Sequence, residues 1–375
     1  MTTADETLYT VALALAFGYT PWMARCVIRQ AGGLQQAYDS RADLRALWPE
    51  CDDRVAATVA AWDSHLERAR RELAFVDEHH ISILTTDHPS YPQRLLPCSD
   101  APAVLYSLGH ADLNARHIIS IVGTRRITAY GRQLTERFVN ELAALCPDVL
   151  IVSGLAYGVD IAAHRQALSQ GCPTIGVVAH GLNEIYPSAH RETARQMVAS
   201  GGLLTEYASG TVIDKQNFVR RNRIVAGMAD ATILIESADR GGGLITMRLA
   251  REYGRQCFAF PGPVGAPYSE GCNRLIQRGM AQMCLDAEDV VKALGWQADT
   301  LLTDARRHGI QRLLFPQLSD TEQAIVDAIA KHKEITIEQL AERTRLDMTI
   351  VAATTFQLEM KGILRTLAGH TVQLI

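Results

Sequence analysis

Two apolar runs of strand length, residues 118–122 and 149–152, are each followed by a glycine-containing turn and then by a helical pattern. A run apolar at nearly every position suits a strand buried on both faces. Such strands alternating with amphipathic helices build a parallel sheet. Further runs of this kind lie near Thr174, Leu203, Ala231 and Gln256, mostly separated by helical spacing. The repeat predicts a doubly wound α/β core that takes its ligand outside the carboxyl ends of the strands. The first two glycine loops fall at that place, in IISIVGTRRITAYG from Ile118 and VLIVSGLAYGVDIAAH from Val149. Loop N–H groups that open a helix favour anions, and Arg125 and Arg126 sit on the first loop. A phosphate-binding shelf is expected there.

The pattern differs on either side of the core. From Leu8 to about His80 the apolar spacing is helical, broken at residues 18–21 and 32–33 where glycines end helices. Residues 1–80 are read as a module of helix–hairpin–helix or SAM-like type. Its hairpin at 31–34 lacks flanking lysines, so packing or protein contact is expected of it rather than DNA binding. Pro89, Pro92, Pro97 and Pro102 predict an extended connector ending in a short strand at 103–108. The core is expected over 81–295, and a linker over 296–318.

Residues 319–375 start with a capping box, Ser319 and Glu322, before a helix at 322–331. Helix, turn, helix and a hairpin turning near Gly369 then give the order of a winged helix. Its second helix, 348–361, holds one Glu, one Lys and no Arg, a poor set for reading a DNA groove.

Charge narrows the options. The net charge is −4, so a nucleic-acid site has to be a local patch. One patch stands out in DKQNFVRRNRIVAGMAD, residues 214–230. It gathers Lys215, Asn217, Phe218, Arg220, Arg221, Asn222 and Arg223, with no glutamate four residues on to pair the cations. Cations at the start of a helix oppose its dipole, at about 0.3–1 kcal/mol each, and bound phosphates offset that. An aromatic beside them supplies a stacking face next to a backbone track, as in single-strand binding. In the second loop Gly154 and Gly158 allow tight turns, while Asp160 and His164 read as a helix cap and a packed histidine.

Other chemistries lose support. There is no GxGxxG after the first strand and no GxxxxGK[ST], so neither a dinucleotide cofactor nor P-loop hydrolysis is expected. Ser153 is not in a GxSxG elbow. The eight cysteines show no CxxC pair and no metal-like spacing with histidine, and read as reduced thiols. Asp5 and Glu6 precede the first apolar run, a poor secretory leader, and the apolar runs are too short to span a membrane. A cytoplasmic protein without metal or cofactor is expected.

In order, VGTRRITAYG, SGLAYGVDIAAH, EIYP, LLTEYASG, DKQNFVRRNRIVAGMAD, GGGLIT and FAFPGPVGAPYSEGCNRLIQRG resemble the DprA/Smf family of bacterial DNA-processing proteins. The match is strong over about residues 91–293, and both end modules fit the family's architecture. The resemblance implies an extended Rossmann-like core that binds single-stranded DNA, forms a homodimer and loads the RecA recombinase during natural transformation. It implies DNA contacts from Arg125, Lys215 and Phe218. With the residues around them, the candidate DNA site is Gly123, Thr124, Arg125, Ser153, Gly154, Lys215, Asn217, Phe218, Arg220, Arg221, Asn222 and Arg223. Dimerisation is expected through residues 246–283, where 258–267 is apolar and rich in Gly and Pro. Two departures lose hydroxyls: the family's SGSLIT is GGGLIT at 241–246, and its AGLS is AGMA at 226–229. The rival reading is a nucleotide-binding protein or nucleoside monophosphate phosphoribohydrolase of the LOG group. Its PGGxGTxxE loop brings a catalytic carboxylate, and no Glu follows residues 240–246 within three positions.

Overall fold

The computed structural model describes residues 3–296, 318–330, 335–360, 363–367 and 371–374. They fall into two compact units, Met1–Trp296 and Gln297–Ile375.

The first unit is built on a nine-stranded sheet. Its strands are β1 (Ser82–Thr85), β2 (Val104–Gly109), β3 (Ile118–Val122), β4 (Leu150–Ser153), β5 (Thr174–Val177), β6 (Gly202–Thr205), β7 (Ala231–Leu234), β8 (Gln256–Ala259) and β9 (Gln282–Met283). The spatial order is β1-β2-β6-β5-β4-β3-β7-β8-β9. From β6 to β9 all pairings are parallel, while β1 and β2 close one edge antiparallel.

Six of these strands sit where the apolar runs predict them. β3 shows why it has no polar face: Ile118 and Val122 enter one hydrophobic cluster, and Ile119 and Ile121 the other. Each cluster lies under its own layer of helices. The helices α6 (Ala129–Leu145), α7 (Val159–Ser169) and α12 (Ala287–Ala293) cover one face. The opposite face is covered by α9 (Lys215–Gly227), α10 (Gly242–Glu252) and α11 (Glu270–Gln277). Each fully buried Ile or Val contributes about 1.5–3 kcal/mol relative to exposure. α8 (Arg191–Ser200) packs against β6 at the far side of the sheet.

The N-terminal helices α1 (Thr3–Ala16), α2 (Met23–Gln30), α3 (Leu34–Asp39), α4 (Asp53–Ala60) and α5 (Leu66–Glu78) belong to this same unit. Their apolar core continues into Val104 and Tyr106 of β2 and into Ala208 after β6. Polar ties reinforce it. Buried Glu72 accepts the Ser209 amide at 2.8 Å and its hydroxyl at 2.6 Å, and Arg25 donates to the Cys98 and Leu96 carbonyls. Trp296, expected to open the linker, is buried against the core instead. The rest of that linker up to residue 317, and the wing turn at 368–370, lie outside the described residues.

The second unit has α13 (Asp320–Ala330), α14 (Ile337–Thr344), α15 (Met348–Met360) and a small sheet in the order β10 (Ile335–Thr336), β12 (Thr371–Leu374), β11 (Leu364–Leu367). Its capping box forms as expected: the Ser319 hydroxyl accepts the Glu322 amide, and the Glu322 carboxylate accepts the Ser319 amide at 2.9 Å.

The segment expected to hold the dimer surface is divided. Phe258 and Phe260 are buried in the core, because β8 is an inner strand with helices on both sides. They are unavailable to a partner; Val264, 99% exposed, is what this stretch leaves outside.

Candidate nucleic-acid interface

The connection runs outward from β3 through β4, β5 and β6, then returns to β7 on the other side of β3. Loops after β3 and β7 therefore diverge, and a crevice opens between them, the usual ligand position in such sheets. A cleft of ≈ 390 Å³ lies there, walled by the three glycine loops and by α9.

Close backbone approach sets the shape of its floor. Gly158 has φ +81°, and any side chain there would overlap the Thr124 carbonyl, to which the Val159 amide donates at 3.2 Å. A Cβ on Gly154 would lie 2.5 Å from the Arg221 guanidinium packed beneath it. The first loop is tied to the third, the Thr124 amide donating to the Glu236 carbonyl at 2.8 Å. Glu236 also receives the Thr128 amide and hydroxyl, and Thr128 caps α6.

Of the twelve candidates, Gly123, Thr124, Arg125, Gly154, Lys215, Phe218, Arg221 and Asn222 line the cleft. Arg125 and Phe218, far apart in sequence, meet: the guanidinium carbon stands 5.3 Å from the ring centroid. Lys215 is exposed at the first turn of α9, where Asp214 caps the helix by accepting the Gln216 amide at 2.7 Å.

Five candidates do not stand free in the open cleft: α9 spreads four of them over its different faces, and Ser153 lies on the inner strand β4. Arg223 is buried and ion-paired with Glu206, with its guanidinium 4.7 Å from the Trp22 ring, so it does not face the cleft. Arg220 points the other way too, toward Tyr19 at 5.9 Å. Asn217 is fully buried and serves as an acceptor for Arg220 at 3.4 Å. Ser153 is fully buried, its hydroxyl donating to the Ile121 carbonyl at 2.6 Å. Arg221 belongs to the floor: it is 3% exposed and donates to the Gly154 and Val177 carbonyls. Nor does Asp160 cap its helix. Gly158 holds the cap position, and the Asp160 carboxylate reaches back to the Ala156 amide at 3.3 Å. Burial raises the pKa of Asp160, and neighbouring Arg221 pulls against that rise.

The structure adds residues the candidate set lacks. Arg126 and Arg240 line the cleft and are exposed. Arg240 was visible as the cation of the third glycine loop, DRGGG. Tyr186, 45% exposed, sets its ring 5.6 Å from Phe218; it was visible in EIYP. The cleft thus presents four exposed cations, Arg125, Arg126, Lys215 and Arg240, with one carboxylate, Asp160, buried behind them. Among the described residues none of the four is held in an ion pair. A cationic groove beside the half-buried Phe218 ring and exposed Tyr186 suits a sugar-phosphate chain with unstacked bases.

Comparisons with known proteins find relatives over most of the chain. The family model described as DNA recombination-mediator protein A matches residues 82–295, and that of the DprA winged helix domain matches 315–370. The chain is 37% identical over 242 residues to the DNA processing protein DprA of Bacillus subtilis, covering 64% of this chain and 80% of that one. It is similar to the crystal structure of DprA from Streptococcus pneumoniae, with TM-score 0.63, 28% identity and coverage of 78% and 98%. It is also similar to DprA from Helicobacter pylori, with TM-score 0.52, 31% identity and coverage of 60% and 96%; that structure is described as showing a single-stranded DNA binding mode. With an extended parallel sheet, a winged helix and these matches, the chain belongs to the DNA recombination-mediator protein A family, the DprA/Smf DNA-processing proteins.

Proposed function

We propose that the cleft captures single-stranded DNA, and that the protein protects incoming strands and hands them to RecA in natural transformation or recombination, acting in the cytoplasm as a homodimer. The juxtaposition of Arg125 with the Phe218 ring beside exposed Lys215 carries this reading. It gives a phosphate partner and a base partner within one site. The single-stranded DNA binding described for the Helicobacter pylori relative supports it. Among the described residues no helix is long and apolar enough to cross a membrane.

The test separates electrostatic from stacking contacts. Each phosphate contact contributes a salt slope of about −0.7 on single strands. Arg125→Ala and Lys215→Ala are expected to weaken binding to all sequences alike and to flatten log K against log salt by about that amount. Phe218→Ala is expected to cost about 1–3 kcal/mol with the slope nearly unchanged. Fluorescence anisotropy titrations at several salt concentrations, with circular dichroism on each variant, read both quantities. Slopes equal to wild type in folded Arg125 and Lys215 variants would remove the cleft from the DNA path.

The reading is one of binding, not of hydrolysis. The cleft's carboxylate among the described residues, Asp160, is buried and already accepts an amide hydrogen bond. Incubation with nucleoside monophosphates is expected to release no free base above a protein-free blank, measured by chromatography. Release at the level of a turnover would restore the phosphoribohydrolase reading.

A further inference from the structure

Phe218 has a second ring beside it. Tyr186 lies in the connection between β5 and α8, and its ring centroid stands 5.6 Å from that of Phe218, with the two planes 60° apart. An exposed tyrosine by itself calls for no partner. This one is held in place. Ile185 before it packs on the hydrophobic cluster that α8 closes, and Pro187 after it is buried. Its amide donates at 3.2 Å to Nε2 of His180, a fully buried histidine whose Nδ1 donates to the Gly181 carbonyl at 2.9 Å. The Tyr186 side chain nonetheless stays in solvent: the residue is 45% exposed, and among the described residues its hydroxyl bonds to no protein group.

The spacing and tilt of the two rings limit what they can hold. A base lying between two rings needs a contact of about 3.5 Å on each side, about 7 Å in all. At 5.6 Å and 60° no base lies flat on Phe218 and Tyr186 together. Each ring therefore serves a base of its own. A base flat on a ring takes that ring's plane, so neighbouring bases on the two rings are tilted 60° to each other. Consecutive bases of a stacked strand are near parallel and about 3.4 Å apart. Occupying both rings thus requires the strand to unstack and bend at that step. Arg125 meets Phe218 from the cleft side, which puts a phosphate partner next to the bend.

We propose that Tyr186 is a second base-stacking residue, taking the base next to the one at Phe218, and that the tilt between the rings makes the site select strands that unstack readily. Weakly stacked pyrimidine runs meet this demand at lower cost than well-stacked purine runs. The inference rests on the single-strand reading of the cleft and adds to it a second base contact and a sequence preference.

The test titrates the full chain with thymidine and adenine homopolymers of equal length, by fluorescence anisotropy, with circular dichroism on each variant. The wild type is expected to bind the thymidine strand about 3- to 10-fold more tightly. Tyr186→Leu keeps apolar bulk and removes the aromatic face. It is expected to weaken the thymidine complex about 5-fold or more and the adenine complex less, so that the ratio falls below about 2, with the salt slope unchanged. Tyr186→Phe keeps the ring and is expected to keep the ratio. A wild-type ratio near one overturns the proposal without any variant, so the test survives if the leucine variant fails to fold. A wild-type ratio retained in folded Tyr186→Leu also overturns it, since the ring would then demand no bend. Loss of the ratio in Tyr186→Phe would assign the preference to the hydroxyl and overturn the stacking role. Should the wild type bind neither strand, the reading of the cleft fails first, and the two failures are told apart.

Discussion

Arg221→Leu is expected to destabilise the folded protein by about 2–6 kcal/mol, since it leaves two buried carbonyls without their donor at about 1–3 kcal/mol each. Arg221 lies under the second glycine loop. It is the donor for two carbonyls, of Gly154 and Val177, and the cation nearest in effect to buried Asp160. Burial pulls its own pKa down only to about 10, so it stays charged at neutral pH. Leucine fills most of the volume but leaves two carbonyls without donors and Asp160 without its counter-charge. A domain's whole stability is about 5–15 kcal/mol, so the loss is large. Urea unfolding at neutral pH measures it. In the double variant with Asp160→Asn the cost is expected to fall short of the sum of the singles, by about 0.5–3 kcal/mol for coupled neighbours. A loss below 1 kcal/mol for Arg221→Leu, or strict additivity, would show that the arginine does not serve the floor of the cleft.

The fate of this arginine shows how far the sequence is legible. Runs that are apolar at every position betray buried strands whatever the tertiary context, so the core from β3 to β8 is visible in them. The glycine loops are visible as well, because the chain has few other reasons to place Gly directly after such a run. What a run of cations does is less visible. Residues 215–223 share one helix, and 3.6 residues per turn sends Lys215 and Phe218 to the cleft, Arg221 beneath its floor and Arg223 into Glu206. The partners that neutralise the buried two, Glu206 and the carbonyls of Gly154 and Val177, come from other elements. No local spacing rule relates them to α9. The union of the helical segment with the core is hidden for the same reason. It depends on Glu72 meeting Ser209, and on Tyr106 presenting its ring to the helices, contacts between residues remote along the chain. Tyr186 illustrates a third case, a residue in plain sight within a motif whose neighbour Phe218 is supplied by the fold.

Acidification is expected to weaken the protein through one buried histidine. His164 is fully buried on α7, and its Nδ1 lies 2.7 Å from the Thr174 hydroxyl oxygen. That hydroxyl donates to the Ile151 carbonyl at 2.9 Å, so the oxygen accepts and Nδ1 carries the proton. Nε2 is left with no partner. A second proton would sit on Nε2 with no acceptor, in a site closed to water. Burial, with the positive charge of Arg221 and the proximity of His190 adding to it, holds the pKa down to about 3 from 6.5. The unfolded chain takes up this proton below about pH 6.5, and the folded chain refuses it. The folded-state pKa is depressed, so its stability contribution is complete above the unfolded value. It is lost as pH falls toward the folded value, at about 1.4 kcal/mol per pH unit for one proton. Buried Asp160 and Glu206, both raised by desolvation, act in the opposite sense, since the folded chain takes their protons first. The histidine's share is isolated by His164→Asn, whose amide N–H can keep the bond to Thr174 but does not titrate. Urea unfolding of wild type and variant between pH 7.5 and 4.5 gives two curves of stability against pH. Their difference is expected to be flat above about pH 7 and to move against wild type by about 1.4 kcal/mol per unit below pH 6. Parallel curves throughout would mean that the folded protein protonates His164 as readily as the unfolded chain does, and that the closed pocket around Nε2 admits water.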